Sequence, residues 1–443
     1  MTSFRDPAMT STSTSSCLLA TATVAALLVP MLASAQSANA NAYDGQTLTG
    51  DWGGTRSELA ARGIAFRGDY VGEAMGVVDG GYGETGARYA QQVRVGMDLD
   101  MGKLAGWDSG TLHVTLNDRR GRSTSVDFVG NRFPIQEAYG GQYTRLTELS
   151  YDQKFGDGQS YFKLGYYAMG NQFGLHSLLT HFVNAAFCAH PLAMSGNSGW
   201  YNYPVARWGG EIAQQVSPAL NVRTGWFQVN PNLGGNIERN AFRPFASGTT
   251  GSLFPVELTW TPGKGGDHPG VYKFGGYYDT SRVARRGLEP AATTGRHGGY
   301  VLAEQRLTRE AGDPERGLTA FAQYMVSDTD TAQIRRWYAL GGVYQGIGSR
   351  PQDSVALGYV GADINRRLID ARRASLVDAG VPGDSPLYHL SQAEELFELS
   401  YSVQVTPWLM IRPDVQYIVN PSTFAYTRTD NAWALGVQAK VTF

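Results

Sequence analysis

Cysteine is almost missing from this chain. It occurs twice, as Cys17 and Cys188, and once an export signal carries off the first, no internal disulfide can form. Neither sign of charge is in excess, since 37 Lys and Arg stand against 39 Asp and Glu. That excludes the basic footprint of a nucleic-acid partner. Long apolar runs are lacking too: past the N-terminus none approaches the ~18 residues a membrane-spanning helix requires. Mean hydropathy is −0.27. A bundle of membrane helices is thereby excluded, but a membrane barrel is not, because alternating strands average to nothing. Local enzyme signatures are absent: there is no G-x-S-x-G and no H-E-x-x-H. His176, His181, Cys188 and His190 follow no standard zinc spacing. No catalytic group, metal or cofactor is expected.

What is present begins with an address. The apolar run Cys17–Leu32 precedes Ala33-Ser34-Ala35, an A-x-A cleavage pattern, so residues 1–35 read as a signal peptide. Residues 36–63 read as a periplasmic segment in which Asp51–Gly63 forms a short helix. Thr55 or Ser57 is expected to cap that helix and Gly63 to end it.

From residue 64 to 443 the chain alternates. Leu112, Val114 and Leu116 oppose His113, Thr115 and Asn117, and Tyr272, Phe274 and Tyr278 oppose Lys273, Tyr277 and Asp279. Each such stretch is a strand with one apolar and one polar face. About sixteen of them follow one another, and their links alternate between long (119–144, 170–206, 230–251, 280–297, 364–393) and tight. Long loops at one end and short turns at the other describe a transmembrane antiparallel β-barrel rather than a soluble sandwich. The last strand, from Trp433 to Phe443, ends on a bare aromatic and places Trp433 and Phe443 ten residues apart. That matches the ~9–11 residues with which a tilted strand crosses a bilayer. Gly81-x-Gly83-x-x-Gly86 leads into a strand, not a helix, and is read as a glycine loop instead of a dinucleotide site.

Several stretches carry a resemblance. They include GDWGGTRSELAARGI (50–64), TELSYDQKFGDG (147–158), FVNAAFCAHP (182–191), GVYKFGGYYDTS (270–281), GGVYQGIGSRPQD (341–353) and FELSYSVQVTPWLMIRPDVQYIVNP (397–421). Together, in this order, they resemble the OprB family of carbohydrate-selective porins. The resemblance implies a sixteen-stranded monomeric barrel in the bacterial outer membrane, with extracellular loops folded inward and small carbohydrates of the glucose type as substrates. A general or ion-selective porin of the same architecture is the alternative. The terminal Phe443 also resembles the signal read by the outer-membrane barrel-assembly machinery.

Strand parity supplies candidate pore-lining residues. Arg94, Glu148, Glu211, Glu257 and Lys273 fall on polar faces, with Arg207 at the start of the sixth strand. A charge on the lipid side costs about 2–4 kcal/mol at mid-membrane, so the lumen is their expected place. Carboxylates and guanidinium groups there bracket hydroxyls, and ring faces meet the apolar face of a sugar. Arg119, Arg120 and Arg122 cluster where the third strand meets a long loop, suited either to the pore or to lipopolysaccharide phosphates. In the third long loop, residues 176–188 repeat apolar side chains at helical spacing, which predicts an amphipathic helix inside the barrel mouth. Beyond it, Trp200 and Tyr201 are expected to stack on sugar and Trp208 to join an aromatic girdle.

Overall fold

The computed structural model describes residues 43–188, 190–234, 241–287, 293–310, 312–313 and 315–443. The expected signal peptide, 1–35, lies outside them. Sixteen strands run in chain order: β1 (Ile64–Gly81), β2 (Gly86–Asp100), β3 (Gly110–Gly121), β4 (Tyr143–Phe155), β5 (Ser160–Tyr167), β6 (Arg207–Ser217), β7 (Leu220–Val229) and β8 (Gly251–Trp260) make one half. The other half is β9 (Gly270–Ala284), β10 (Thr293–Arg306), β11 (Gly317–Ser327), β12 (Ile334–Ile347), β13 (Arg350–Ile364), β14 (Ala393–Thr406), β15 (Leu409–Val419) and β16 (Asp430–Thr442). Each pairs antiparallel with its sequence neighbours, and β1 pairs with β16 from Asp69 opposite Thr442 to Gly81 opposite Asp430, so the sheet closes. Closure leaves no strand edge unpaired, the condition for a sheet surrounded by lipid.

Alternation sets the two faces. On β16, Trp433, Leu435 and Val437 are exposed outward, while Ala434 and Gln438 are buried toward the bore. Val95, Leu164, Ile212, Leu340, Leu357 and Leu399 continue the outer apolar wall around the barrel. The links after β3, β5, β7 and β13 are long, and those after β4, β6, β12 and β14 are tight turns; the long loop expected over 280–297 shrinks to 285–292 because β9 and β10 extend into it. The loops therefore gather at one end.

Ahead of β1, a 3-10 turn (Trp52–Gly54) leads into a short α-helix (Thr55–Ala61). Its cap differs from the expected one. Gly54 holds the N-cap position at φ 96°, and neither Thr55 nor Ser57 caps. Instead Asp51 Oδ1 accepts from the Ser57 N–H and hydroxyl, each at 2.8 Å. A carboxylate four residues ahead of the helix satisfies a free N–H and complements the helix dipole better than a hydroxyl within the first turn. Gly63, at φ 97°, ends the helix as expected.

The interior departs from a uniformly polar lumen. On β10 to β14, Leu302, Phe321, Trp337, Val343, Val360 and Leu396 point inward and are buried. They pack against Phe173, Leu179, Phe182, Val183, Phe187 and Trp200 of the β5–β6 loop, which enters the bore. That loop contains no amphipathic helix over 176–188. Two 3-10 turns, Ser177–His181 and Ala185–Phe187, flank an extended Phe182–Asn184. The reason lies in the partners of its backbone: Glu398 on β14 accepts from the N–H groups of Val183 and Asn184. Those donors are spent on the wall, so an i→i−4 ladder cannot form there.

Candidate functional site

The loops are held inside by a set of strand carboxylates. Glu73 on β1 accepts from the Ala138 N–H at 2.9 Å, and Glu394 on β14 from those of Arg132 (2.8 Å) and Phe133 (3.1 Å). Glu257 on β8 accepts from Gly174 (2.6 Å), Asp279 on β9 from Gly199 (2.7 Å) and Glu304 on β10 from Ser177 (2.9 Å). With Glu398, six acids spaced around the barrel bind main-chain donors of the β3–β4 and β5–β6 loops. Each acid satisfies loop N–H groups that would otherwise be buried without an acceptor, so the loops are fixed in place by the wall.

What they leave open is a cavity of about 360 Å³ beside β1, β2, β3 and β16. Small-molecule sites span ~300–1,000 Å³. Asp69, Glu73, Gln92, Arg94, Arg119, Gln438 and Lys440 form its strand side, Glu137 and Tyr203 belong to the loops, and Leu179 and Phe187 face them. Donors and acceptors thus share the lining with the apolar side chains of Val71, Leu179 and Phe187. Arg94 pairs with Asp69 at 2.5 Å, and Arg119 donates from Nε to Gln92 Oε1 at 2.9 Å and from Nη1 to the Tyr139 carbonyl at 3.2 Å. Both guanidinium groups stand over the Tyr203 ring, 5.8 and 5.9 Å from its centre. Asn117 donates to the Tyr203 hydroxyl at 2.6 Å. Burial pushes the Tyr203 phenol up to about 12, so it remains a neutral donor and acceptor.

The other expected residues are dispersed. Glu148 does not line the cavity and accepts from Lys163 at 2.7 Å and from Thr115 at 3.1 Å. Nearby, His113 bridges Asp98 (2.7 Å) and Asp152 (3.0 Å). Glu211 is buried and holds Arg223 at 2.8 Å. Glu257 anchors Gly174, and Lys273 donates to the Leu175 carbonyl at 2.8 Å, so both position the β5–β6 loop. Arg122 is at the rim, paired with Asp127 at 2.8 Å and well exposed. Tyr201 lies flat against Arg207, with 3.3 Å between the guanidinium carbon and the ring centre.

The stacking role expected of Trp200 is not compatible with its position. Trp200 is 0% exposed and meets Phe173, Tyr277 and Tyr300 edge-on at 6.3, 5.8 and 6.1 Å. An indole among other rings is core, and no solute reaches its face. Trp208 lies outside the barrel wall, stacked on Phe245 at 5.0 Å. Gln92, Glu137 and Tyr203 were absent from the expected set. Tyr203 sits in the aromatic stretch that supplied Trp200 and Tyr201, whereas Glu137 lies in a loop without periodicity to mark it.

A closed barrel with an apolar outer wall, a charged inner wall and loops drawn into its bore defines a diffusion porin of the bacterial outer membrane, a channel rather than an enzyme. The family model described as carbohydrate-selective porin, OprB family, matches residues 84–443. Porin B of Pseudomonas aeruginosa is 35% identical over 437 residues, covering 92% of this chain and 94% of that one. The high-pH structure of Pseudomonas putida OprB superposes with a TM-score of 0.84 at 32% identity, over 90% of this chain and 99% of that one. The low-pH structure of the same porin gives 0.58 at 26% identity, over 91% and 100%. The chain belongs to the OprB family of carbohydrate-selective porins, and it passes carbohydrates selectively across the outer membrane.

Proposed function

We propose that the sugar passes through the cavity between Arg94, Arg119 and Tyr203, with Asp69, Glu137 and Lys440 as further polar contacts and Leu179 and Phe187 against its C–H face. The observation that supports this reading is the pairing of two guanidinium groups over one neutral phenol, in a cavity that Leu179 and Phe187 also line. A pyranose presents hydroxyls around its edge and C–H groups on its faces, so it meets both kinds of surface at once. Arg94, Asp69, Arg119 and Lys440 already have protein partners, so a hydroxyl passing them exchanges one hydrogen bond for another. Binding remains weak enough for release, as conduction requires.

The test is ion current through single channels in planar bilayers with glucose added. Wild type is blocked in a concentration-dependent manner; Arg94→Gln and Arg119→Gln raise the half-blocking concentration several-fold while the barrel stays folded. Unchanged block in both variants removes this cavity from the sugar path.

Three further assignments complete the reading. The barrel works as a monomer, read from the family resemblance, and a detergent-corrected mass of two or three chains would overturn that. The β16 strand with Phe443 is the segment the barrel-assembly machinery recognises, and deleting Phe443 should slow assembly in cells. Lipopolysaccharide phosphates meet the rim at Arg120 and Arg122. Because Asp118 (2.8 Å) and Asp127 (2.8 Å) already pair these arginines, the double Gln variant should lose only part of its lipopolysaccharide binding.

A further inference from the structure

Arg145 and Arg207 of the bore wall have no acid partner among the described residues. Arg145 lies near the loop end of β4 and Arg207 opens β6; they are 0% and 1% exposed. Other cations on this side of the barrel differ: Lys163 on β5 holds Glu148 at 2.7 Å, and Arg223 on β7 holds Glu211 at 2.8 Å. Arg145 and Arg207 each place only one nitrogen on a carbonyl. Arg145 Nη2 donates to Leu233 at 3.0 Å and Arg207 Nη1 to Ala206 at 2.6 Å. Nε and Nη1 of Arg145, and Nε and Nη2 of Arg207, are buried with no acceptor among the described residues.

The two groups converge on one place. Arg145 reaches the carbonyl of Leu233, and a side-chain carbon built on the next residue, Gly234, would lie 3.3 Å from Arg207 Nη2. Tyr201 covers one face of the Arg207 guanidinium, so its free donors are those on the edge. A guanidinium cannot shed its proton to relieve burial. Buried charges are ordinarily paired, and an orphaned buried donor retains its full desolvation cost. Two such cations side by side repel each other as well.

We propose that Arg145 and Arg207 jointly hold a small monovalent anion of chloride size. Burial at this depth under Leu233 and Tyr201 keeps it out of the path of a permeating sugar, so it is a resident ion. It ties the turn Pro231–Leu233 and the start of β6 to β4. This site is separate from the cavity at Arg94 and Arg119, and its existence does not depend on where the sugar passes.

Crystals of the full chain in detergent, soaked in sodium bromide, test it by anomalous diffraction. The expected result is a bromide peak in contact with both guanidinium groups, absent from Arg207→Gln crystals. Water or a protein carboxylate in that position overturns the proposal. A peak that persists in Arg207→Gln marks an adventitious ion only, and overturns it equally. In solution, the temperature at which the folded band is lost on gels should rise with chloride at ionic strength held constant by a bulky sulfonate. Arg207→Lys, which keeps the charge with fewer donors, should fold and show less of that rise. No chloride dependence in wild type sinks the resident role.

Discussion

Arg56 donates from Nη2 to the main-chain oxygen of Phe443, 387 positions away, at 2.9 Å. The same nitrogen donates to the Phe66 carbonyl at 3.0 Å, and Nη1 to Thr47 Oγ1 at 3.1 Å. Tyr43 and Trp52 lie over the guanidinium at 4.2 and 5.2 Å. Leu48 donates its N–H to the Thr442 carbonyl at 2.8 Å. The segment before β1 thus clasps the seam where the first and last strands meet.

Replacing that arginine should loosen the seam. Arg56→Ala is expected to cost about 2 kcal/mol, the scale of a buried hydrogen bond to a charged group. The measurement is the midpoint temperature for loss of the folded band on gels. Arg56→Lys recovers only part, because an ammonium lacks the planar fork and stacks poorly.

Tyr203 lines the cavity proposed as the sugar path. Tyr203→Ala should raise single-channel conductance and weaken discrimination between mono- and disaccharides in liposome swelling. Tyr203→Phe keeps the ring over both arginines and should stay near wild type. Equal conductance in all three proteins would show that the ring does not limit the passage.

The carboxylates that hold the loops predict a graded response. Glu398→Ala strands the Val183 and Asn184 N–H groups in the interior, about 1–3 kcal/mol for each orphaned donor. The β5–β6 loop should then become open to protease in the folded barrel, with noisier current. Glu398→Gln keeps an acceptor oxygen and should be milder. Protection of the loop in the Ala variant would count against the tethering role.

That loop also contains two histidines held neutral. Burial pushes both His181 and His190 down to about 4, and for His181 the charges of Arg412 and Lys440 act in the same direction. Free histidine titrates near ~6.5. A released loop therefore binds protons before the docked one does, so docking is fully stable above about 6.5 and weakens as the pH falls through 4. Hydrogen-exchange protection across 170–206, referred to the intrinsic rate at each pH, should be lower at pH 4 than at pH 7. Identical protection at both values would refute this.

Trp200 should behave as core. Trp200→Ala is expected to cost roughly 3–5 kcal/mol, while Trp200→Phe should leave sugar block of the folded channels unchanged. A selective loss of sugar block in Trp200→Phe would restore the contact role.

Strand number, most strand ends and four of the five long loops were legible in the sequence; the fifth, expected over 280–297, is taken up by the longer β9 and β10. They follow from a period of two and from turn chemistry, both of which act locally. Legible too was the inward placement of Arg94, Glu211, Glu257 and Lys273, because a charge facing lipid is costly. The same reasoning does not distinguish an inward residue that meets water from one that meets a loop. Glu257 and Lys273 lie on the polar face as expected, yet their partners are Gly174 and Leu175, more than eighty positions away. Nor does helical spacing over 176–188 form a helix when the barrel wall competes for its N–H groups.

The sequence by itself determined a closed barrel, its apolar belt and its polar inner face, since these rest on alternation and on the cost of unpaired backbone in lipid. Only the tertiary structure decided where the bore is open. The loops enter from one end and fill the side near β10 to β14, and their fit depends on contacts between residues hundreds of positions apart. That packing leaves Arg94, Arg119 and Tyr203 around the opening and seals Trp200 away from it.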